Sequence, residues 1–260
     1  EHILGSLDAG VADLVFLEDG TFISGSVKRE RKEGKQVLLR NAKAVLFIPD
    51  TEEFVLMRSP HENEGKQKMK FFGGMVEPGT YSRAQNPYDS TILREISEET
   101  GMAHIWGEGY QPEGNLVLAG ERGMFDDGRK WEPRRTSFYV YIPTPREISA
   151  IREFKVFLDD ARGKNYSEFI KRLKKWKKSI KGQGEVSEIL FLTKKQLTDA
   201  SLTESFNISS SMEKLMANPF VRDFLNNFRI ASSHGPEEAV RSVQSEPEPS
   251  PLPQTIKTEN

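Results

Sequence analysis

Apolar positions first gather along this chain in short β-rich runs separated by turn residues. "LVFLEDGTFISGSV", Leu14 to Val27, sets two β-rich runs around Asp19-Gly20, a dipeptide suited to a tight hairpin turn. "AKAVLFIPD" and "EFVLMRS" predict a second strand pair, broken at Pro49-Asp50. Further on come "GNLVLAGERGMF", an Asp127-Gly128 turn and the strand "TSFYVYIP", Thr136 to Pro143. "SEILFLT", Ser187 to Thr193, supplies a later strand.

The period turns helical in three places. Asn86-Pro87 makes a helix start and Gly101 a stop, with Ile92, Leu93, Ile96 and Thr100 as a stripe that can face a core. From Asn165 to Lys181, the residues Tyr166, Phe169, Ile170, Leu173, Trp176 and Ile180 recur at helical spacing, and Asn165 with Glu168 is placed as a capping box. Asn218 caps and Pro219 opens the helix of "NPFVRDFLNNF".

Composition narrows the class. The 260 residues are 36% hydrophobic and 29% charged, which reads as a soluble globular chain, and no apolar run is long enough to cross a bilayer, so no membrane partner is expected. With no Cys there is no disulfide framework and no thiolate metal site. That favours an intracellular protein, with cytoplasm and mitochondrion not distinguished, since the chain begins at Glu1 without Met and leaves room for a cleaved leader. From Ser232 the composition shifts to "SEPEPSPLPQTIKTEN", which has almost nothing to bury and reads as disordered. The expected organisation is an N-terminal β-hairpin extension over 1–40, a mixed α/β domain over 41–230 with an insertion at 150–184, and a tail over 231–260.

The first helix carries an unusual charge pattern. In "REISEETGM", Glu95 and Glu99 are four apart and Glu98 is three from Glu95, so they share a face. Like charges at that spacing repel by a few tenths of a kcal/mol, and acids near a helix C-terminus oppose its dipole. A divalent cation between the carboxylates removes both penalties; a solvated acidic face is the other reading of the helix alone. Upstream, Gly73-Gly74, Glu77 and Gly79 make a tight loop that can bring backbone groups to such a cation.

Taken together, "GGMVEPG" and "REISEETGM" resemble the signature of the Nudix hydrolases. The flanking "AKAVLFIPDTEEFVLMRS" and "GEVSEILFLTKKQL" look like the family's opening strand pair and its last strand running into a helix, so the resemblance covers about Asn41 to Ala200. It implies an α/β/α sandwich with a central mixed sheet, here with the N-terminal hairpin, an inserted basic helix and the tail added. It also implies cleavage of a nucleoside diphosphate linkage by water with bound Mg²⁺ or Mn²⁺. By resemblance Glu95, Glu98 and Glu99 are catalytic metal ligands, the Gly73 carbonyl is a further ligand, and Glu95 is alternatively the base. Glu185 is the candidate for an additional catalytic carboxylate, with Glu188 second. Glu77 and Arg94 stand behind the ligands. The chain departs from the family at Thr80, where a Glu is usual, and has thirteen residues, Tyr81 to Leu93, before Arg94, about six more than the family spacing. The extra residues fall in "TYSRAQN", before the helix cap, and Arg94 loses the partner that Glu would supply.

The substrate is read from elsewhere. Seven of the eleven residues in "KRLKKWKKSIK" are basic. Arg172, Lys174, Lys175, Lys177 and Lys178 are the nucleic-acid-binding candidates, a solvated face being the other reading. Arg134 and Arg135 can clamp a phosphate or be rim charge. The first expectation is a hydrolase acting at the 5′ di- or triphosphate end of RNA. The alternatives are a pyrophosphatase for a small molecule (ADP-ribose, a nucleotide sugar, a dinucleoside polyphosphate or a diphosphoinositol) and a weakly catalytic nucleotide- or RNA-binding scaffold. In the scaffold reading a protein partner meets the insertion or the tail.

Overall fold

A computed structural model describes residues 3–6, 14–17, 22–24, 39–77, 86–128, 134–163, 165–179, 185–199 and 207–230, with backbone alone at 3–6, 14–17, 22–24 and 176–179. Its elements lie in one compact unit, Glu1–Phe228. The expected tail over 231–260 lies outside the described residues.

Strands β1 (Ile3–Ser6), β2 (Leu14–Leu17) and β3 (Phe22–Ser24) form a small antiparallel sheet in that order. The β2–β3 pair, with Val15 opposite Ile23, is the hairpin expected around Asp19-Gly20, although the turn itself lies outside the described residues. The larger sheet is built from β4 (Leu39–Ile48), β5 (Glu53–Ser59), β6 (Lys68–Lys70), β7 (Asn115–Ala119), β8 (Phe125–Asp126), β9 (Arg134–Ile142) and β10 (Glu188–Thr193). Its order is β10-β5-β4-β9-β7, with β6 on β5 and β8 on β9; β4 and β9 are parallel and the other pairs antiparallel, so the sheet is mixed.

A strand buried on both faces reads as a nearly continuous apolar run, and β4 does so in "AVLFI". Ala42, Ala44, Leu46 and Ile48 face one layer and Val45 and Phe47 the other. The first layer holds α1 (Pro87–Glu99), α2 (Met102–Trp106), α3 (Pro145–Arg162) and α4 (Tyr166–Ser179). The second holds α5 (Lys194–Thr198), α6 (Ser210–Ala217) and α7 (Pro219–Asn227), through Leu197, Met212, Leu215, Val221 and Leu225. The result is an α/β/α sandwich.

The apolar pattern does not single out α3, whose outer face mixes Arg, Glu, Lys and Asp with the exposed apolar Val156 and Phe157. Its start is nonetheless specified. The Thr144 hydroxyl accepts from the Glu147 N–H, and the Glu147 carboxylate accepts from the Thr144 N–H at 2.7 Å, a complete capping box with Pro145 at the first turn. Ile148, Ile151, Phe154 and Leu158 form its buried stripe. The stretch expected as an insertion, 150–184, therefore gives Ile151, Phe154, Leu158, Phe169, Ile170 and Leu173 to the same core as Ile92 and Ile96.

The sheet forks between β4 and β5. These two strands pair only from Leu46 to Ile48, and farther along β6 takes that edge of β5. The chain after β6 then hydrogen-bonds to β4: Phe72 exchanges both bonds with Ala44 at 2.9 Å, the Ala42 N–H reaches the Gly74 carbonyl at 3.1 Å, and the Val76 N–H reaches the Arg40 carbonyl at 2.8 Å. Residues 68–76 thus fill the fork.

Gly101 ends α1 with φ at +83°, and a Cβ there would sit 2.3 Å from the Phe154 ring. Phe154 therefore supports the end of α1 from below. Phe154→Ala is expected to lower stability by about 3–5 kcal/mol, measured by urea unfolding. A loss under about 1 kcal/mol would mean that α3 does not brace α1.

Candidate active site

Helix α1 starts as its sequence requires: the Asn86 side chain accepts from the Asp89 N–H at 3.3 Å, and Pro87 occupies the first turn. Ile92 and Ile96 are fully buried against the sheet. Glu99, three residues beyond Ile96 and seven beyond Ile92, shares that inward side and is only 1% exposed. Its Oε2 accepts the Gly73 N–H at 2.7 Å, and its Oε1 lies 3.6 Å from the Lys70 Nζ.

The glycine pair is explained by this approach. Gly73 has φ at +116°, and a Cβ would come within 2.1 Å of the Ala42 carbonyl oxygen. Gly74 has ordinary backbone angles, but its Cβ would sit 2.5 Å from Glu95 Oε1. The backbone at 73–74 is pressed between β4 and the α1 carboxylates: no side chain fits on Gly73, and one on Gly74 would displace the Glu95 carboxylate.

Arg94 forks between two of the acids, with Nη2 2.5 Å from Glu95 Oε1 and Nη1 3.0 Å from Glu98 Oε2. Burial works against its charge, but Glu95, Glu98 and, more weakly, Glu77 outweigh that and raise its pKa. The partner lost at Thr80 is thereby replaced from within the helix. Glu77 is exposed and lies near enough to add to the field on Arg94.

Three residues at this place carried no sequence signal. Lys43 donates to the Gly73 carbonyl at 2.5 Å. Burial lowers its pKa, against the pull of Glu99 and with the push of Lys70. Lys70 is the cation beside Glu99. Asp127, 4% exposed, accepts from Asn41 Nδ2 at 3.4 Å and from Ser211 Oγ at 2.5 Å, and its field also reaches Lys43. Each is a single charged residue in a strand or turn, and only the sheet fork brings them together.

Other candidates sit elsewhere. Glu185 precedes β10, which lies along the edge of β5 opposite the one β6 occupies. Glu188 is held by Arg58 at 3.2 Å and Arg162 at 3.3 Å. Arg134 and Arg135 open β9 opposite Leu39 and Arg40, at the N-terminal end of β4. On α4, Phe169, Ile170 and Leu173 are buried, while Lys171, Arg172, Lys174 and Lys175 point outward. Lys174 pairs with Glu62 at 2.9 Å, and Lys171 and Arg172 each lie 3.9 Å from Glu168. The side chains of Lys177 and Lys178 lie outside the described residues.

Among the described residues no three acidic or histidine side chains converge as a cage for a metal ion. Mg²⁺ does not require one: it binds through one or two carboxylates and completes its shell with water and substrate phosphate. Glu95 and Glu99, both closing on the Gly73–Gly74 backbone, offer hard oxygen donors that fit it. No helix among the described residues is long and apolar enough to cross a membrane.

No family model matches this chain, and no curated protein matches it. Among solved structures it is similar to a MutT protein from Methanosarcina mazei Go1, at 13% identity and a TM-score of 0.38, over 72% of this chain and 90% of that one. It is also similar to a UDP-X diphosphatase, at 14% identity and a TM-score of 0.38, over 78% of this chain and 72% of that one.

Burial, reinforced by Glu95 and opposed by Lys70, Lys43 and the Gly73 N–H, pushes the Glu99 carboxyl up from 4.5 to about 7. A folded-state pKa above the unfolded value means that the folded chain holds the proton longer. The contribution to stability is full below pH 4.5 and is lost as pH climbs to about 7. In EDTA, Glu99→Gln keeps an acceptor for the Gly73 N–H and removes the charge. It is expected to exceed the wild type in stability at pH 8 by up to about 3 kcal/mol and to match it near pH 4. Parallel pH–stability curves for the two would refute the buried-charge account.

Proposed function

We propose that this protein is a metal-dependent hydrolase of a diphosphate linkage, acting at the 5′ di- or triphosphate end of RNA. The observation that carries the hydrolase reading is the closure of Glu95 and Glu99 onto the Gly73–Gly74 backbone, an oxygen-donor site made by the two halves of the signature. Glu95 and Glu99 would hold Mg²⁺ or Mn²⁺. When bound, the metal supplies charge neutralisation at phosphate and a water of lowered pKa. The chain's own residues set the geometry. Arg94 locks the rotamers of Glu95 and Glu98, and the Gly73 N–H fixes the Glu99 oxygen that accepts it. The water oxygen bonds to phosphorus as the bridging P–O bond breaks, and the proton passes to a carboxylate of this set. The RNA end is supported by the outward cations of α4, a helix anchored by its apolar stripe.

A second reading, a small-molecule pyrophosphatase, is favoured by one observation. Lys171, Arg172 and Lys174 share Glu168 and Glu62, so the α4 face carries less free positive charge than its composition implies.

With Mg²⁺, the purified chain is expected to release pyrophosphate or phosphate from 5′-triphosphorylated RNA, and Glu95→Gln or Glu99→Gln to slow this by about a hundredfold or more. Selective hydrolysis of a nucleotide sugar with RNA untouched rejects the RNA reading. RNA binding without turnover, unchanged by Glu99→Gln, rejects the hydrolase.

Reversing charge at Lys174 and Lys175 together is expected to weaken RNA binding several-fold and to flatten its salt dependence by about one to two units of log–log slope, with the fold intact by circular dichroism. Unchanged affinity would make the α4 face a solvated surface only.

A further inference from the structure

Two ammonium groups from different strands flank the same buried carboxylate, and neither belongs to the signature. Lys43 comes from the middle of β4 and Lys70 from the end of β6. Lys70 Nζ lies 3.6 Å from Glu99 Oε1, while Lys43 Nζ lies on the carbonyl of the residue whose N–H holds Glu99 Oε2. One amine therefore sits at the Glu99 carboxylate and the other at the carbonyl of the residue that the carboxylate binds.

The hydrogen bond that Lys43 makes goes to a neutral group. Arg94 already answers Glu95 and Glu98, and Lys70 answers Glu99. Lys43 donates to a neutral carbonyl, and Asp127, the next carboxylate whose field it feels, is itself held by Asn41 and Ser211. Around this point stand five carboxylates (Glu95, Glu98, Glu99, Asp127 and the exposed Glu77) and three cations (Arg94, Lys43, Lys70). One divalent cation brings that balance to zero and lessens the hold of the acids on the two lysines. Burying an ammonium against a lone carbonyl is a poor exchange for its hydration, and an anionic oxygen is the partner that compensates it. Two such groups, each within the field of the other, suit a ligand with negative charge on adjacent centres.

We propose that Lys43 and Lys70 form a phosphate clamp that binds the diphosphate group of the substrate, and its pyrophosphate product, next to Glu99. This deepens the hydrolase reading and rests on it for the word substrate, but the clamp is a binding site in its own right. Lys43 acts from below, through the Gly73 loop. Lys70 swings between Glu99 and a phosphate oxygen. A single phosphate can engage one amine well, and two linked phosphates engage both. Asp127, held by Asn41 and Ser211, is a positioning residue whose negative charge acts on the Lys43 ammonium.

The test is calorimetric binding of inorganic pyrophosphate and of inorganic phosphate to the full chain in Mg²⁺ buffer, with thermal unfolding measured on every variant. The wild type is expected to bind pyrophosphate at least tenfold more tightly than phosphate. Lys43→Met and Lys70→Met are each expected to lose tenfold or more in pyrophosphate affinity, and Lys70→Arg to stay within about threefold of wild type. In hydrolysis assays the Met variants should raise KM more than they lower kcat. If Lys43→Met does not fold, Lys70→Met, whose side chain is 23% exposed, decides the matter. Pyrophosphate affinity equal to wild type in Lys70→Met, no pyrophosphate binding by the wild type, or equal binding of phosphate and pyrophosphate overturns the clamp. Diphosphate hydrolysis with normal KM in the Met variants also overturns it while leaving the hydrolase standing. Lysine-dependent pyrophosphate binding without hydrolysis of any diphosphate keeps the clamp and overturns the hydrolase.

Discussion

One hydrogen bond organises the candidate site: the Gly73 N–H to the buried carboxylate of Glu99, at 2.7 Å. A carboxylate that is 1% exposed is costly unless it is compensated, and here the compensation comes from a backbone N–H and one ammonium. That N–H is available only because the sheet forks. Were β4 and β5 paired along their whole length, residues 72–76 could not bond to β4, and the Gly73 peptide would not face α1. The glycines are a consequence of the same constraint. Gly73 must turn through φ of +116° beside the Ala42 carbonyl, and Gly74 leaves room for the Glu95 carboxylate where a Cβ would push it aside. The pattern of two glycines, a gap and three acids is thus one contact seen from both of its sides.

Much of this was legible in the chain because it rests on local rules. The Asn86 cap, Pro87 at the first turn and Gly101 at the stop set the ends of α1, which runs Pro87–Glu99. Short β-rich apolar runs between turn residues located β4, β5, β7, β9 and β10, and Asn218-Pro219 located α7. What escaped was non-local or masked by surface charge. α3 buries five apolar side chains (Ile148, Ala150, Ile151, Phe154 and Leu158), and its clearest signal was the Thr144–Glu147 capping box rather than its stripe. Lys43, Lys70 and Asp127 are far apart in sequence from the acids they face, so no spacing rule connects them. The new pairing of Arg94 is a different case. The chain lacks the acid expected at position 80, yet the helix itself places Glu98 one turn from Arg94, where an ion pair forms.

The second helical layer bears on the site although it lies beyond the stretch that resembles a known signature. β6 is three residues long and has a single strand partner, β5, which by itself is a weak hold. The segment before α6 reinforces it. The Met69 N–H reaches the Asn207 carbonyl at 3.1 Å, the Ser209 N–H reaches the Met69 carbonyl at 2.9 Å, and Asn207 Nδ2 reaches the Gln67 carbonyl at 2.9 Å. Asn207 adopts φ of +48° to make this turn, a conformation asparagine tolerates better than most residues. Gln67 in turn donates to Ser187 Oγ at 2.6 Å, at the entry to β10.

The C-terminal helices therefore act on both amines of the site by different routes. Through Asn207 and Ser209 they fix the backbone of β6, and with it the origin of Lys70. Through Ser211, the next residue but one after Ser209, they hold Asp127, whose field steadies Lys43. Met212, Leu215, Val221 and Leu225 anchor α6 and α7 in the core with Val45 and Phe47, so the two routes share one packed base. A loosening of that layer would reach the lysines before it reached the glutamates, because α1 is braced on the opposite face by Phe154 and Ile151. The acids and the amines of the site thus depend on separate halves of the sandwich, and the forked strand at 68–76 is where those halves meet.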